Sequence, residues 1–278
     1  MAFFETSDKC KIHYEINGEG EPIVLIHGWT CNTQFYQYQT PEFSKKYKVI
    51  TYDLRGHGIS DKSPEATEMN MGLDTFAKDL YELIAFLELK DVNLVGWSMG
   101  TSIILNYIDL YGNENLKSIC CIDMTPKLLA DDEWKLGQSR VFNTFDNLGF
   151  MELVATNWPM ACEAFIPNLF AEGYDQEDDM FKWCMGQAKN NLPHCMLNMW
   201  IAMAVKDYRP VLPKIDVPTF LAYSENGLLY YPDHGKYMQE NIKNAVLDTF
   251  PGCGHGLMFE DHEKFNRDYL AFLEDVYK

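Results

Sequence analysis

The residues Gly96-Trp97-Ser98-Met99-Gly100 set a serine at the centre of a G-x-S-x-G element. An apolar run, Val92 to Val95, comes before it, and a helical stretch, Met99 to Tyr111, follows and stops at Gly112. A tight strand-to-helix turn of this kind strains the serine backbone and lifts its Oγ above the sheet. Small residues two before and two after the serine avoid collision with the neighbouring chain, and the first amides of the helix favour developing negative charge. A serine hydroxyl needs a base before it becomes a nucleophile. The chain has seven histidines, and one of them, His255, stands in the glycine-rich run Phe250-Pro251-Gly252-Cys253-Gly254-His255-Gly256, directly after the last strand signal. Such a loop carries an imidazole over the strand ends, where ligands bind in open α/β sheets. Ser98 is therefore the expected nucleophile and His255 the expected general base.

Acyl transfer by such a pair needs two donors converging on the tetrahedral oxygen. The backbone N–H of Met99, next after the nucleophile, is one candidate. The other is the N–H of Trp29, in the loop that opens with His27-Gly28-Trp29 after the apolar run Pro22 to Ile26. His27 and His57 lie on glycine turns and read as hydrogen-bonding the loops around the site. Asp233 and Glu260 read as helix N-terminal or surface charges, and Asp248 as strand surface.

The elements that must position these residues follow from periodicity. Phe3 to Ile16 alternates in part and ends at Asn17-Gly18-Glu19-Gly20, which predicts an edge strand and a hairpin onto the next strand. Pro22 to Ile26 reads as a strand buried on both faces, Lys48 to Tyr52 as another strand, and Thr33 to Lys45 as a helical stretch between them. Leu73 to Leu89 has apolar residues at helical spacing, with Asp74 as its N-cap. Leu116 to Ile122, Pro218 to Tyr223 and Ala245 to Phe250 are further strands, with helices over Asp233 to Ile242 and His262 to Val276. Strands alternating with helices mean a parallel sheet with helices on both faces. Between Leu116–Ile122 and Pro218–Tyr223 the strand signals vanish. Residues 126–212 form a helical insertion, leaving 1–125 and 213–278 as the α/β core.

Taken together, H-G-W at 27–29, D-L-R-G-H-G-I-S at 53–60, G-W-S-M-G at 96–100 and G-C-G-H at 252–255 resemble the α/β-hydrolase superfamily, nearest to its small esterases and metal-free haloperoxidases. The resemblance covers nearly the whole chain outside the insertion. It implies an α/β-hydrolase fold with a mostly parallel eight-stranded sheet, and a helical cap that lids the active site. It also implies an acid to orient His255, usually placed after the strand that here is Pro218 to Tyr223. This sequence has Ser224-Glu225-Asn226-Gly227, with glycine where the aspartate would stand. Three readings stay open. Asp123, at the end of Leu116–Ile122, resembles the acid of family members such as the haloalkane dehalogenases, which place it there. Glu225 is the alternative acid. The third reading is a dyad with no acid.

Composition narrows the rest. The 278 residues are 47% apolar, with 23 Lys and Arg against 41 Asp and Glu, a formal net charge of −18. Such a surface repels phosphate backbones and anionic lipid heads, so neither nucleic acid nor a membrane surface is an expected partner. The eight cysteines are scattered without a C-x-x-C pair, which predicts free thiols in a reducing cytoplasm and no metal. The opening residues lack a basic segment followed by an apolar stretch, which argues against a secretory signal. No G-x-G-x-x-G follows a strand, so no cofactor is expected.

The expected reaction is acyl transfer to water from a small to medium hydrophobic ester, thioester or lactone. Perhydrolysis with hydrogen peroxide is a side activity that the resemblance implies. Trp158, Phe165, Trp200 and the methionines of the insertion read either as packed cap interior or as an apolar vestibule. A ligand-binding receptor with vestigial catalysis is the alternative. Only Gly227 leans toward it. Oligomeric state is not legible.

Overall fold

In a computed structural model, which describes residues 2–67 and 71–278, the chain forms one eight-stranded sheet. The strands are β1 (Ala2–Glu5), β2 (Lys11–Asn17), β3 (Pro22–Ile26), β4 (Lys48–Tyr52), β5 (Val92–Trp97), β6 (Leu116–Ile122), β7 (Thr219–Ser224) and β8 (Ala245–Phe250). Their spatial order is β1-β2-β4-β3-β5-β6-β7-β8. The first two strands run antiparallel to their neighbours, and the pairs from β4 to β8 are parallel. Every residue of β3, β5 and β7 is buried, as continuous apolar runs covered on both faces require. This is the mostly parallel eight-stranded sheet that the resemblance implied.

Three local expectations need correction. The opening hairpin forms between β1 and β2, but β2 joins β4 and not β3. Both edges of β3 are already taken by the parallel strands β4 and β5, so the hairpin adds outside β4. The stretch Thr33 to Lys45 is broken into a 3₁₀ turn at Thr33–Tyr36 and a short helix α1 (Gln39–Phe43).

After α2 (Pro64–Thr67), helix α3 (Leu73–Phe86) starts from Gly72, not from Asp74. Asp74 lies in its first turn, where the amide ends favour a negative charge, and pairs with Lys206 at 2.5 Å. Helix α4 (Met99–Tyr111) follows Ser98 and packs on α3 and β5.

Between β6 and β7 stand α5 (Thr144–Thr156), α6 (Trp158–Phe165), α7 (Asp179–Lys189) and α8 (Pro193–Ala204). Asn143 begins this block with a capping box closed by Asp146. The block docks through polar ties to the core: Trp29 Nε1 donates to Met196 O at 2.9 Å, and Asn191 Nδ2 to Thr30 O at 2.8 Å. The indole of Trp29 is ringed by Phe165 and Trp200, each at 4.9 Å between centroids, and by Phe150 and Trp158 at 5.8 Å. Most of the block's large apolar residues are therefore buried, although Phe145, Leu148 and Met160 are exposed. The chain ends with α9 (Pro232–Asn241), α10 (Leu257–Glu260) and α11 (His262–Val276). No helix among the described residues is long and apolar enough to cross a membrane.

Candidate active site

Ser98 sits between β5 and α4 at φ 55°, ψ −119°, a backbone conformation that a non-glycine residue holds only when its surroundings enforce it. Its N–H is tied to Ile122 O at 3.0 Å. The flanking glycines are needed for space. A Cβ on Gly100 would stand 2.1 Å from Ile26 O, and one on Gly96 would stand 2.5 Å from the Gly100 backbone. The loop after β3 closes on the same point, since a Cβ on Gly28 would lie 3.2 Å from Ser98 Cβ. Ser98 itself keeps partial exposure.

His255 is fully buried in the loop after β8. Its Nδ1 lies 2.7 Å from Asp123 Oδ2. A carboxylate has only lone pairs to offer, so Nδ1 carries the proton and Nε2 is left as an acceptor. That Nε2 is buried and has no hydrogen-bond partner. Ser98 Oγ makes no hydrogen bond among the described residues either, so the hydroxyl and the imidazole lone pair are both uncommitted. Trp97 fixes the loop, its Nε1 donating to His255 O at 2.8 Å, and the rings of Trp97 and Tyr230 flank the imidazole at 5.5 and 5.4 Å.

Asp123 follows β6 at φ 46° with no exposed surface. Its second oxygen, Oδ1, accepts Ser224 N–H at 3.0 Å and Ser224 Oγ–H at 3.1 Å, so the carboxylate is held by three donors. Glu225 is elsewhere: it is exposed, accepts Thr249 Oγ1 at 2.6 Å and makes no hydrogen bond to His255. Of the two acids read from the sequence, the structure brings Asp123 to the imidazole and leaves Glu225 apart.

The N–H groups of Met99 and Trp29 have no acceptor among the described residues, as donors reserved for a ligand oxygen would. His27 braces their loop: Nδ1–H donates to Gly28 O at 2.8 Å and Nε2 accepts Leu54 N–H at 3.0 Å. Burial pushes the His27 imidazole below its usual range, and pushes His57, whose ring lies 4.9 Å away, well below. Both stay neutral.

Two residues of the supporting frame escaped the sequence reading. Asp53 accepts Thr33 N–H at 2.9 Å and Ile59 N–H at 3.0 Å, and pairs with His13 Nδ1 at 3.0 Å, so it pins both glycine loops. The D-L-R-G-H-G-I-S run was the available signal. Glu260 is no surface charge. It is half-buried and accepts two backbone N–H groups, from Ala171 at 2.9 Å and Gly254 at 2.7 Å. Asp233 does lie at the start of α9, exposed and paired with Arg140 at 2.8 Å, and Asp248 pairs with Lys264 at 2.7 Å. No group of metal-ligating side chains occurs among the described residues.

The sequence matches the family described as alpha/beta hydrolase fold over residues 21–153. It is similar to a non-heme chloroperoxidase of Kitasatospora aureofaciens, 30% identical over 98% of this chain and 99% of that one. It is also similar to a bifunctional esterase/perhydrolase of Acinetobacter calcoaceticus, 25% identical over 98% of this chain and 99% of that one. Among solved structures it resembles an esterase from Exiguobacterium antarcticum, with a TM-score of 0.89, 27% identity and 98% of each chain covered.

Proposed function

We propose that this chain, which belongs to the α/β-hydrolase family, cleaves small to medium hydrophobic carboxylic esters, or related thioesters and lactones, through an acyl-enzyme on Ser98. The observation that carries the reading is the buried imidazole of His255, anchored on Asp123 at Nδ1 and unpartnered at Nε2, in a fold that strains Ser98 into a turn at the head of a helix.

The steps follow from these groups. Ser98 Oγ adds to the ester carbonyl while its proton passes to His255 Nε2. Asp123 holds the ring in the tautomer that makes this possible and stabilises the imidazolium. The N–H groups of Met99 and Trp29 receive the oxyanion. The tetrahedral intermediate collapses, the C–O bond to the alcohol breaks, and the imidazolium returns its proton to the departing oxygen. Water then gives its proton to His255 and attacks the acyl-enzyme, releasing the acid and restoring Ser98. Apo hydrogen bonds between nucleophile and base often tighten only when substrate binds.

Hydrogen peroxide in place of water gives a peracid from the same acyl-enzyme, and the similarity to an esterase/perhydrolase supports that side activity. The receptor reading loses its one argument, because Asp123 stands at His255 where Gly227 leaves no acid.

A fluorophosphonate probe tests the proposal. Covalent labelling at Ser98, a burst of chromophore from p-nitrophenyl butyrate, and loss of turnover on the order of 10⁶-fold in Ser98→Ala are expected. Unlabelled protein, or a Ser98→Ala variant that hydrolyses the ester as fast as wild type, overturns it.

A further inference from the structure

Three contacts fasten the loop that carries His255 to the helical block. Gly256 N–H donates to Leu169 O at 2.6 Å. Gly254 approaches the backbone of Phe170 so closely that a Cβ there would stand 2.1 Å from its carbonyl carbon. The third contact is the carboxylate of Glu260, whose Oε1 takes Ala171 N–H and whose Oε2 takes Gly254 N–H. One side chain therefore bridges the residue after Phe170 and the residue before His255. Its own backbone is pinned to the same loop, Glu260 N–H donating to Gly256 O at 3.0 Å.

We propose that Glu260 is a positioning residue for His255, its carboxylate clamping the Gly254–Gly256 segment to the helical block and so fixing the imidazole for proton transfer with Ser98. This rests on the assignment of Ser98 and His255 as nucleophile and base. Hydrogen bonds to an ionised carboxylate are about twice as strong as neutral ones. Gly254 is bonded directly to His255 along the chain, so a shift of the clamp is a shift of the ring. A misplacement of about 1 Å at a reacting group can cost on the order of 10²-fold in rate.

The surroundings make this clamp depend on charge. Burial raises the Glu260 carboxyl, to about 7; the two N–H groups pull it down, and Asp123 pushes it up again. From the helical block, Tyr174, Asp178 and Asp179 share a cleft with it, and Cys184 lies close. From the core, Tyr38 and His262 face the same cleft, and Cys253 precedes Gly254. None of the described residues lining that cleft is lysine or arginine, so backbone donors hold the charge. The sign follows. Above pH 7 the carboxylate is ionised and both oxygens accept fully. As pH falls through 7 one oxygen becomes a hydroxyl, an N–H loses its acceptor, and the clamp slackens.

Amide ¹⁵N shifts of Gly254 and Ala171 in the wild-type protein, followed from pH 5 to 9, test the clamp without reference to catalysis. Both are expected to move together with a midpoint near pH 7, and to be flat in Glu260→Gln. The same variant is expected to lower kcat for p-nitrophenyl butyrate on the order of tenfold with KM within about twofold. The acid limb of its kcat profile is expected to lose the step that Glu260 contributes near pH 7. Amides that ignore pH in the wild type, or a Glu260→Gln variant with unchanged kcat and an unchanged acid limb, overturn the proposal. If wild type neither turns over ester nor labels at Ser98, the assignment of the site fails, and the amide titration still decides whether Glu260 holds the loop.

Discussion

Asp123 reaches His255 across 132 residues of sequence, its Oδ2 standing 2.7 Å from Nδ1, and it does so from the strand beside the one where the family resemblance places the acid. The neighbouring strand β7 still contributes, because Ser224 at its end donates both N–H and Oγ–H to Asp123 Oδ1. Gly227 belongs to the same arrangement. A Cβ there would stand 2.3 Å from Ser224 Oγ. Glycine at 227 thus leaves room for the Ser224 hydroxyl that donates to Asp123.

Asp123→Asn is expected to lower kcat on the order of 10⁴-fold, because a carboxamide does not hold Nδ1–H against the other tautomer. KM and the far-ultraviolet dichroism stay near wild type. Glu225→Gln stays within about twofold, since Glu225 engages Thr249 and not His255. Steady-state kinetics on p-nitrophenyl butyrate separate the two, and the reverse ranking would transfer the acid role to Glu225.

Gly227→Ala is expected to displace Ser224 Oγ from Asp123 and lower kcat about tenfold, the scale of one hydrogen bond to a charged group. Ser224→Ala removes the same hydroxyl and lowers kcat alike. The double variant is no worse than either single one, because both remove one interaction. Additive losses would show that Gly227 acts on something other than that hydrogen bond.

The stability that His27 and His57 contribute is expected to fall as the medium is acidified below about pH 6.5. His27 and His57 are buried bases whose folded pKa values lie beneath the ordinary 6.5, because burial disfavours their charged forms. The unfolded chain then binds more protons than the folded one, so the stability these rings contribute is complete above 6.5 and is lost as pH drops toward their folded values. Urea midpoints between pH 8 and 5 measure the slope. His57→Gln, which cannot titrate there, flattens it, and an unchanged slope in that variant would remove His57 from the account.

Local chemistry was readable where the chain itself supplies the constraint. The G-x-S-x-G turn lies between an apolar strand and a helix in the sequence as it does in the fold, and the loop after β8 needed only its glycines to announce His255. What depends on distant packing was not readable. The choice between Asp123 and Glu225 turns on β6 lying beside β7, which no spacing states. The pairing of β2 with β4 depends on both edges of β3 being occupied. Glu260 looks like a surface charge at a helix boundary until the helical block docks and presents Ala171 N–H to it. The run at 53–60 was recognised as a pattern, and its Asp53 and Arg55 gain physical meaning only once the partners they bind are in place.

Arg55 shows what that run does for the fold. Its guanidinium is 1% exposed and meets Asp79, 2% exposed, through Nε at 2.7 Å and Nη2 at 2.5 Å, while the partly exposed Asp8 accepts from Nη1 at 2.9 Å. The charge therefore ties the loop after β4 to α3 and to the β1–β2 turn. Removing one member of a buried pair strands the other, at a cost of about 3–5 kcal/mol. Arg55→Met is expected to lose that much in urea unfolding, whereas Asp8→Asn, whose group still reaches water, loses about 1 kcal/mol or less. Replacing Asp79 by leucine in the Arg55→Met background should recover most of the loss, since no uncompensated charge is then left inside. A double variant as unstable as Arg55→Met alone would mean that the guanidinium matters for the space it fills rather than for the carboxylate it neutralises.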